Sequence, residues 1–438
     1  MATNINKQIL VFAHWNEMEA PISLGILNAQ RLRGKEIFSF EYDKNWLNSK
    51  YSLSLDPNLG LFQGKQFAPE LKQNFGLFLD SSPDRWGRML MRRREAAIAK
   101  KEKRDEQTLF ESDYLLGVYD GHRLGGLRFK ISENGDFLNN HREMASPPWT
   151  SLRELEHACL QLEREDAIDD PEYFHWLSIL FSPGSSLGGA RPKAGVLDEK
   201  GNLWIAKFPS VNDEIDTGAW EMVLHELAKK AGIIVPDARI MRFSGKHHTY
   251  LSKRFDRIGR NKRVHFASAM TLLGYNDGAD AAQGVSYLEF VEFILQHSYD
   301  SKWDLEQLWR RIVFNILVSN TDDHLRNHGW LLTEKGWKLS PAYDMNPNQF
   351  GTGLSLNITE NNNSLDAALA LDVAGYFKLN PGSANAILNE MTSAISEWKT
   401  IAKHYKISKS EIDLMKKAFN NPGFQAGDIH NEKRNRRP

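Results

Sequence analysis

With a single cysteine, Cys159, in 438 residues, the chain cannot close an intramolecular disulfide or build a thiolate metal cage, which fits a reducing compartment. It also lacks an excess of either charge. Its 55 Lys and Arg against 56 Asp and Glu remove any global argument for nucleic-acid binding and leave only local basic patches to consider. No run reaches the roughly 18–20 apolar residues of a membrane span. The first fifteen residues hold only ILVFA, too short for the apolar region of a secretory signal, and no small-residue cleavage site follows it. No internal repeat is present. These absences predict a soluble cytoplasmic protein with no membrane partner. What is present is core material: 41% apolar residues, including 12 Trp and 23 Phe, enough for two or three packed units.

The first half reads as strands with interspersed helices. Alternating segments such as KEIFSFEYD and KYSLSLDP over residues 8–60 predict short strands. In LDSSPDRWGRMLMRRREAAIAKKEKR a helix opens, with Ser82 or Asp80 as cap and Pro83 in its first turn. Its basic stretch from Arg85 to Arg104 reads as a solvated face, with a phosphate or DNA contact as the alternative. HRLGGLRFKI is strand-like, a polar linker over 133–148 follows, and a helix is expected over about 150–165. Then come a Gly-rich loop, a strand, the turn Glu199 to Asn202, and a second strand carrying Lys207. Apolar residues at helical spacing over 217–231 predict a helix closed by Gly232. VPDARIMRF and TYLSKRFDR read as a hairpin. Helices are expected over 287–297, 303–319 (apolar nearly all round and therefore buried), 383–404 and 408–419, with WLLTEKGWKLSPAYD as a strand–turn–strand. The tail HNEKRNRRP reads as disordered.

Four features carry chemistry. SNTDDHLRNHGW places Asp322 and Asn327 five residues apart after the buried helix, and the following strand pair ends at Asp344. Phosphoryl transfer from ATP needs a carboxylate to accept a hydroxyl proton, and an amide oxygen with a second carboxylate to hold magnesium. The same Asp-to-Asn step marks protein-kinase catalytic loops. Alone it is weak, because a hydrated Asp/Asn-rich helix exit looks the same. Asp323 is a second carboxylate that spacing does not exclude, but Asp322 keeps the five-residue step. The loop SPGSSLGGARPK has glycines that let backbone N–H groups approach phosphate oxygens, and Lys193 adds a charge; a plain mobile loop is the alternative. Lys207, mid-strand in LWIAKFP, needs a partner such as a phosphate and a helix glutamate, Glu221 or else Glu226; a snorkelling edge lysine is the alternative. The parts occur in the order Gly-rich loop, strand lysine, helix glutamate, Asp322…Asn327 and Asp344, and that order is more informative than any one of them.

SSLGGARPKA, TDDHLRN, SPAYD and KRFDR, together with the N-terminal YDKNWL and SPDRWGR, resemble the HipA family of bacterial serine/threonine kinase toxins over most of residues 8–410. The resemblance implies an α+β, two-lobed protein-kinase-like fold of the phosphatidylinositol-kinase-like branch, with a β-rich N-terminal lobe and a mostly helical C-terminal lobe. It divides the chain into an N-terminal subdomain over 1–150, the rest of that lobe over 151–255, a helical lobe over 256–420 and a tail over 421–438. It implies ATP and Mg2+ as cofactors and a protein Ser/Thr hydroxyl as substrate, in this family an aminoacyl-tRNA synthetase. It also implies a small helix-turn-helix antitoxin as partner, with DNA bound through that antitoxin. By the same resemblance Asp322 is the base, and Asn327 and Asp344 hold metal. Gly188, Gly189, Ala190, Arg191 and Lys193 cradle phosphates that Lys207 also contacts. Lys253 to Phe255 receive adenine through backbone bonds, and His324, Arg326 and Tyr343 line the nucleotide site. Ser186 stands where the family carries an autophosphorylated serine, with Ser185 beside it. Lys253 departs from the family, where an acidic residue is expected.

Overall fold

A computed structural model describes residues 6–15, 18–140, 147–181, 189–243, 245–259 and 262–419. Ser185, Ser186, Gly188 and the tail over 421–438 lie outside the described residues. The chain forms two compact units that interleave along the sequence. The first comprises Met1–Glu214, Met241–Asp277 and Gly329–Glu334; the second comprises Ile215–Ile240, Gly278–His328 and Lys335–Pro438.

In the first unit, the strands Gln66–Phe67, Lys35–Tyr42, Ile22–Leu32, Asn6–Ala13 and Leu127–Lys130 form an antiparallel sheet in that spatial order. Alternation places Ile9, Val11 and Ala13 on the buried face, joined from the next strands by Leu27, Ala29, Phe38 and Phe40. Arg33 and Gly34 (φ 49° and 80°) make the two-residue turn between Leu32 and Lys35, the positive-φ pair that matches strand twist. At Gly25 a side chain is impossible, since a Cβ would stand 2.2 Å from the Glu41 carbonyl oxygen.

A second antiparallel group pairs Lys193–Leu197 with Leu203–Lys207 and the latter with Thr249–Lys253. The turn between the first two is held by Asp198, whose carboxylate accepts from the Lys200 and Asn202 amides and from Trp204 Nε1. One face of these strands packs on the helices Arg85–Glu102, Leu152–Leu162 and Tyr173–Phe181 through Trp86, Leu90, Leu155, Leu177, Val196 and Leu251. Lys207 is the last residue of its strand and not mid-strand as expected, because Pro209, two residues on, has no N–H to continue the ladder. The cap of the basic helix also differs from expectation. Asp84 accepts from Gly87 N at 2.7 Å, Pro83 precedes the cap, and Asp80 instead accepts from Ser268 N and Oγ. Three cations of this basic stretch are engaged by the protein itself: Arg88 forks Glu111, Arg104, just past the helix, binds Glu95 and Glu102, and Arg93 donates to the Leu162 carbonyl.

The second unit is mostly helical: Thr217–Lys230, Tyr287–His297, Ser301–Val318, Ala367–Val373, Pro381–Ser396, Trp398–His404 and Lys409–Met415. Thr217–Lys230 ends as the sequence predicts, with Gly232 at φ +72° and Ile233 N donating to Ala228 O. Ser301–Val318 is buried on nearly all sides, as its apolar circumference predicts. The single helix expected over 383–404 is two, broken at Glu397; the first starts with Pro381 in its opening turn, capped by Asn380. Trp398 stacks on Phe419 at 4.3 Å between centroids and closes the C-terminal end of this core.

Candidate active site

The helix Ser301–Val318 stops at Ser319, which takes a left-handed φ of 51° and donates its Oγ to the Ala418 carbonyl at 2.8 Å. The chain then runs as an extended loop into the short turn Leu325–Asn327. Here the two adjacent carboxylates take opposite environments. The Asp322 side chain is 87% exposed, with His324 Nε2 at 4.0 Å from its Oδ1. The Asp323 side chain is 4% exposed. It accepts from Asn315 Nδ2 at 2.5 Å, from His328 Nε2 at 2.6 Å and from the Tyr287 hydroxyl.

Burial raises the Asp323 pKa, but attraction to His328 and the hydrogen bonds from His328 and Tyr287 outweigh it and hold the carboxyl below the usual carboxylate range. Burial, with the neighbouring carboxylate, pushes the Tyr287 phenol well up. Asp323 is thus an anchoring anion, already saturated with donors. A folded pKa below the unfolded one gives stability that is fully present above the unfolded carboxylate pKa and is lost as pH falls through the folded value. Asp323→Ala, which strands a buried Asn and His, is expected to cost about 3–5 kcal/mol of unfolding free energy. Urea unfolding at neutral pH checks this; an unchanged midpoint would remove Asp323 from the anchoring role.

The rest of the loop is held by amides. Asn320 donates its Nδ2 to Asn315 Oδ1 at 2.9 Å and accepts through Oδ1 from the Asn346 backbone N–H at 3.0 Å. Asn348 N donates to Ser319 O, and Asn348 Nδ2 to Thr321 Oγ1 at 2.8 Å. The segment just after Asp344 is therefore tied to the segment just before Asp322 by side chains of the helix end. Asn327 donates Nδ2 to the Asp322 carbonyl at 2.7 Å, which orients its amide and presents Oδ1 as the acceptor end. Tyr343 donates its hydroxyl to the Arg326 carbonyl at 2.8 Å, a second tie between the two segments. Asp344 itself has φ +58°, a conformation costing a non-glycine residue roughly 1–3 kcal/mol and found where function over-determines the backbone. Buried Arg311, whose pKa burial lowers to about 10, donates to the Ser340 carbonyl at the start of the same turn.

Asp322, Asn327, Asp344, His324, Arg326 and Tyr343 all belong to the second unit, as does Glu221 on the helix Thr217–Lys230, where it is buried. Glu226 accepts from the Tyr405 hydroxyl. The remaining predicted residues belong to the first unit. Lys193 is buried with its ammonium 2.8 Å from Asp84 Oδ2. Gly189, at φ +105°, lies over that ammonium, a Cβ there standing 3.2 Å from Nζ. Ala190 is exposed, and Arg191 forks Asp213, with Nη1 to Oδ1 at 2.9 Å. The Lys207 ammonium lies 5.7 Å from the Tyr250 ring centroid. Lys253 ends its strand opposite Trp204, and Phe255 packs 5.9 Å from Phe266. Sequence reasoning missed Asn315, Asn320, Tyr287 and His328. The available signal was an asparagine within the apolar last two turns of the helix, IVFNILV, five residues before another asparagine.

Among the described residues no three His, Cys, Asp or Glu side chains cluster as a metal cage. A cation at Asn327 Oδ1 and the Asp344 carboxylate would therefore take its other oxygens from a ligand. That fits magnesium, which is usually held by one or two carboxylates plus substrate phosphates. No helix among the described residues is long and apolar enough to cross a membrane.

Residues 185–398 match the HipA-like C-terminal domain family. The serine/threonine-protein kinase toxin HipA of Shewanella oneidensis is 25% identical over 266 residues, covering 53% of this chain and 59% of that protein. Residues 185–398 thus resemble a HipA-like C-terminal domain. A putative kinase of Haemophilus influenzae is 29% identical to this HipA-like chain over 180 residues, 37% of this chain and 52% of that protein. The chain spans about half the length of the curated relatives it matches. Among solved structures, HipA from the Shewanella oneidensis MR-1 toxin–antitoxin complex with HipB and operator DNA superposes with a TM-score of 0.62. The match covers 94% of this chain and 96% of that one at 17% identity. The fold is accordingly the α+β, protein-kinase-like fold of HipA, as the motifs predict.

Proposed function

We propose that this HipA-like protein is an ATP- and magnesium-dependent serine/threonine-protein kinase. The observation that carries this is the division of labour in the loop. Asp323 is saturated and buried, whereas Asp322 is presented to solvent five residues before an amide oriented by its own Nδ2 bond, and residues flanking the two, Asn320, Thr321 and Arg326, are tied to residues flanking Asp344. In the reaction Asp322 accepts the proton of a protein hydroxyl while that oxygen bonds to the γ-phosphorus of ATP. The bond from phosphorus to the bridging oxygen breaks, and ADP leaves with the electron pair. Asn327 and Asp344 would hold magnesium, which would neutralise charge on the phosphates. Arg326 adds positive charge beside the base, His324 lines it with a ring nitrogen 4.0 Å from the Asp322 carboxylate, and Tyr343 fixes the Arg326 backbone. Gly188 to Lys193 and Lys207 bind phosphates, and Lys253 to Phe255 receive adenine. For Lys193, phosphate binding competes with the Asp84 pair. By likeness to the toxin–antitoxin relative, the partner is a small helix-turn-helix antitoxin that carries the kinase to DNA, and the substrate is a protein with an accessible Ser or Thr in the cytoplasm.

Intact-mass measurement with an ATP-consumption assay tests this. Phosphate on the protein's own hydroxyl supports the protein kinase. ATP consumed only in the presence of a small acceptor indicates a small-molecule kinase, and neither result indicates an idle binding module acting with an antitoxin.

Ser186 is the proposed autophosphorylation site. A phosphate there brings about −1.5 to −2 charges into a loop that binds ATP's own phosphates, so modification is expected to weaken ATP binding and switch the enzyme off. Peptide mapping after ATP incubation is expected to find phosphate at Ser186, not Ser185, and calorimetry to find weak ATP binding by the modified form. Equal ATP affinity in both forms would refute the switch.

A further inference from the structure

The first unit contains a cavity of about 560 Å³, walled in part by His14, Tyr119, Arg128, Phe137, Arg257 and Arg263. None of these belongs to the candidate kinase site. Around the cavity, with Asp120 itself part of the lining, stands an unusual charge balance. Asp120 serves two arginines: Arg128 donates Nη2 to Oδ2 at 2.7 Å and Arg263 donates Nη2 at 3.0 Å. Asp256 serves two more, accepting from Arg254 Nε at 2.7 Å and Arg257 Nη1 at 2.6 Å. A fifth arginine, Arg123, is wholly buried and donates to the carbonyls of Ser81, Leu115, Val118 and Leu138. Two buried carboxylates thus face five guanidiniums. Asp136 at the rim is exposed and engaged by Asn140 Nδ2 at 2.7 Å.

Buried charge is costly unless paired. The strain is visible in the groups themselves: burial, together with neighbouring guanidiniums, lowers the pKa of Arg257 to about 9, and burial lowers that of Arg263. Arg263 Nη1 is buried with no hydrogen-bond partner among the described residues. His14 is biased toward its neutral form by burial and by Arg128 and Arg263, which leaves a ring nitrogen able to donate or accept without adding charge.

We propose that this cavity binds a small phosphorylated molecule, its phosphate held by Arg128 and Arg263 and its organic part lying against Phe137 and Tyr119. A phosphate monoester dianion carries enough charge to offset the surplus, and its several oxygens match forked guanidinium donors better than one carboxylate does. The Phe137 ring lies 3.7 Å from the Arg128 guanidinium carbon, which both orients that side chain and supplies an apolar wall. The volume falls within the range of small-molecule sites.

The test is calorimetric titration of the full chain with inorganic phosphate and glycerol 3-phosphate, against citrate and sodium chloride at matched ionic strength. Saturable binding of both phosphates is expected, weakened roughly tenfold or more by Arg128→Gln. Lys207→Met, in the proposed ATP site, should leave it unchanged, which separates this cavity from the kinase reading. Because Arg128→Gln disturbs Asp120, Asn140→Asp provides a second variant: it adds a negative charge at the rim without removing a buried pair, and is also expected to weaken phosphate binding. Phosphate binding at parental strength in both variants, loss of binding in Lys207→Met, preference for citrate, or no saturable binding would each overturn the proposal.

Discussion

Asp322→Asn is expected to reduce phosphoryl transfer by roughly 10²–10⁴-fold while leaving ATP binding and folding close to those of the parent. The near-isosteric amide cannot accept the hydroxyl proton at neutral pH. The side chain is 87% exposed, so no buried network is lost with the charge. The neighbouring residue supplies the contrast. Asp323→Asn keeps the volume but replaces an acceptor-only group that receives from Tyr287, Asn315 and His328, and its main effect falls on stability. Quench-flow transfer assays beside urea unfolding curves separate the two. Asp322→Asn retaining activity within a few-fold, with Asp323→Asn inactive yet stable, would reverse the assignment.

The second large effect belongs to Asp344. Asp344→Asn removes the carboxylate yet keeps a residue that tolerates the left-handed backbone at φ +58°, so its effect reports charge and not strain. Removing a fixed charge that offsets developing phosphate charge is expected to cost roughly 10²–10³-fold in turnover and to abolish the magnesium dependence of ATP affinity. Asn327→Ala should act in the same direction, with a smaller loss of affinity because the amide is a neutral ligand. Titrations of ATP with and without magnesium check both variants. Tight, magnesium-independent ATP binding by Asp344→Asn, with turnover intact, would place the metal elsewhere.

Much of the fold was legible because its signals are local. Strand alternation around Phe38 and Phe40, the Gly232 helix stop and the all-round apolar helix before Asp322 each depend on a few neighbouring residues. The failures were of the opposite kind. Asp80 lost the helix cap to Asp84 because a partner 188 residues away, Ser268, claims its carboxylate. Spacing nominated Asp322 over Asp323 but gave no reason why two adjacent carboxylates should differ. That reason lies in Tyr287, Asn315 and His328, which converge only in the folded chain. The arginine cavity was invisible for the same cause: Arg128 is far in sequence from Arg257 and Arg263, and each is ordinary singly. Ser186 and Gly188 lie outside the described residues, so their roles rest on the motif SSLGGARPK.

The loop from Asp322 to Asn327 and the turn at Asp344 are proposed to form one magnesium–nucleotide centre. Crystals of the protein grown with Mn2+ in place of magnesium and a non-hydrolysable ATP analogue test it through the anomalous signal of the metal. A manganese peak is expected, ligated by Asn327 Oδ1, the Asp344 carboxylate and phosphate oxygens, with the Asp322 carboxylate facing the γ-phosphate and Asp323 still bound to His328. A nucleotide-bound metal ligated by neither Asn327 nor Asp344 would contradict it.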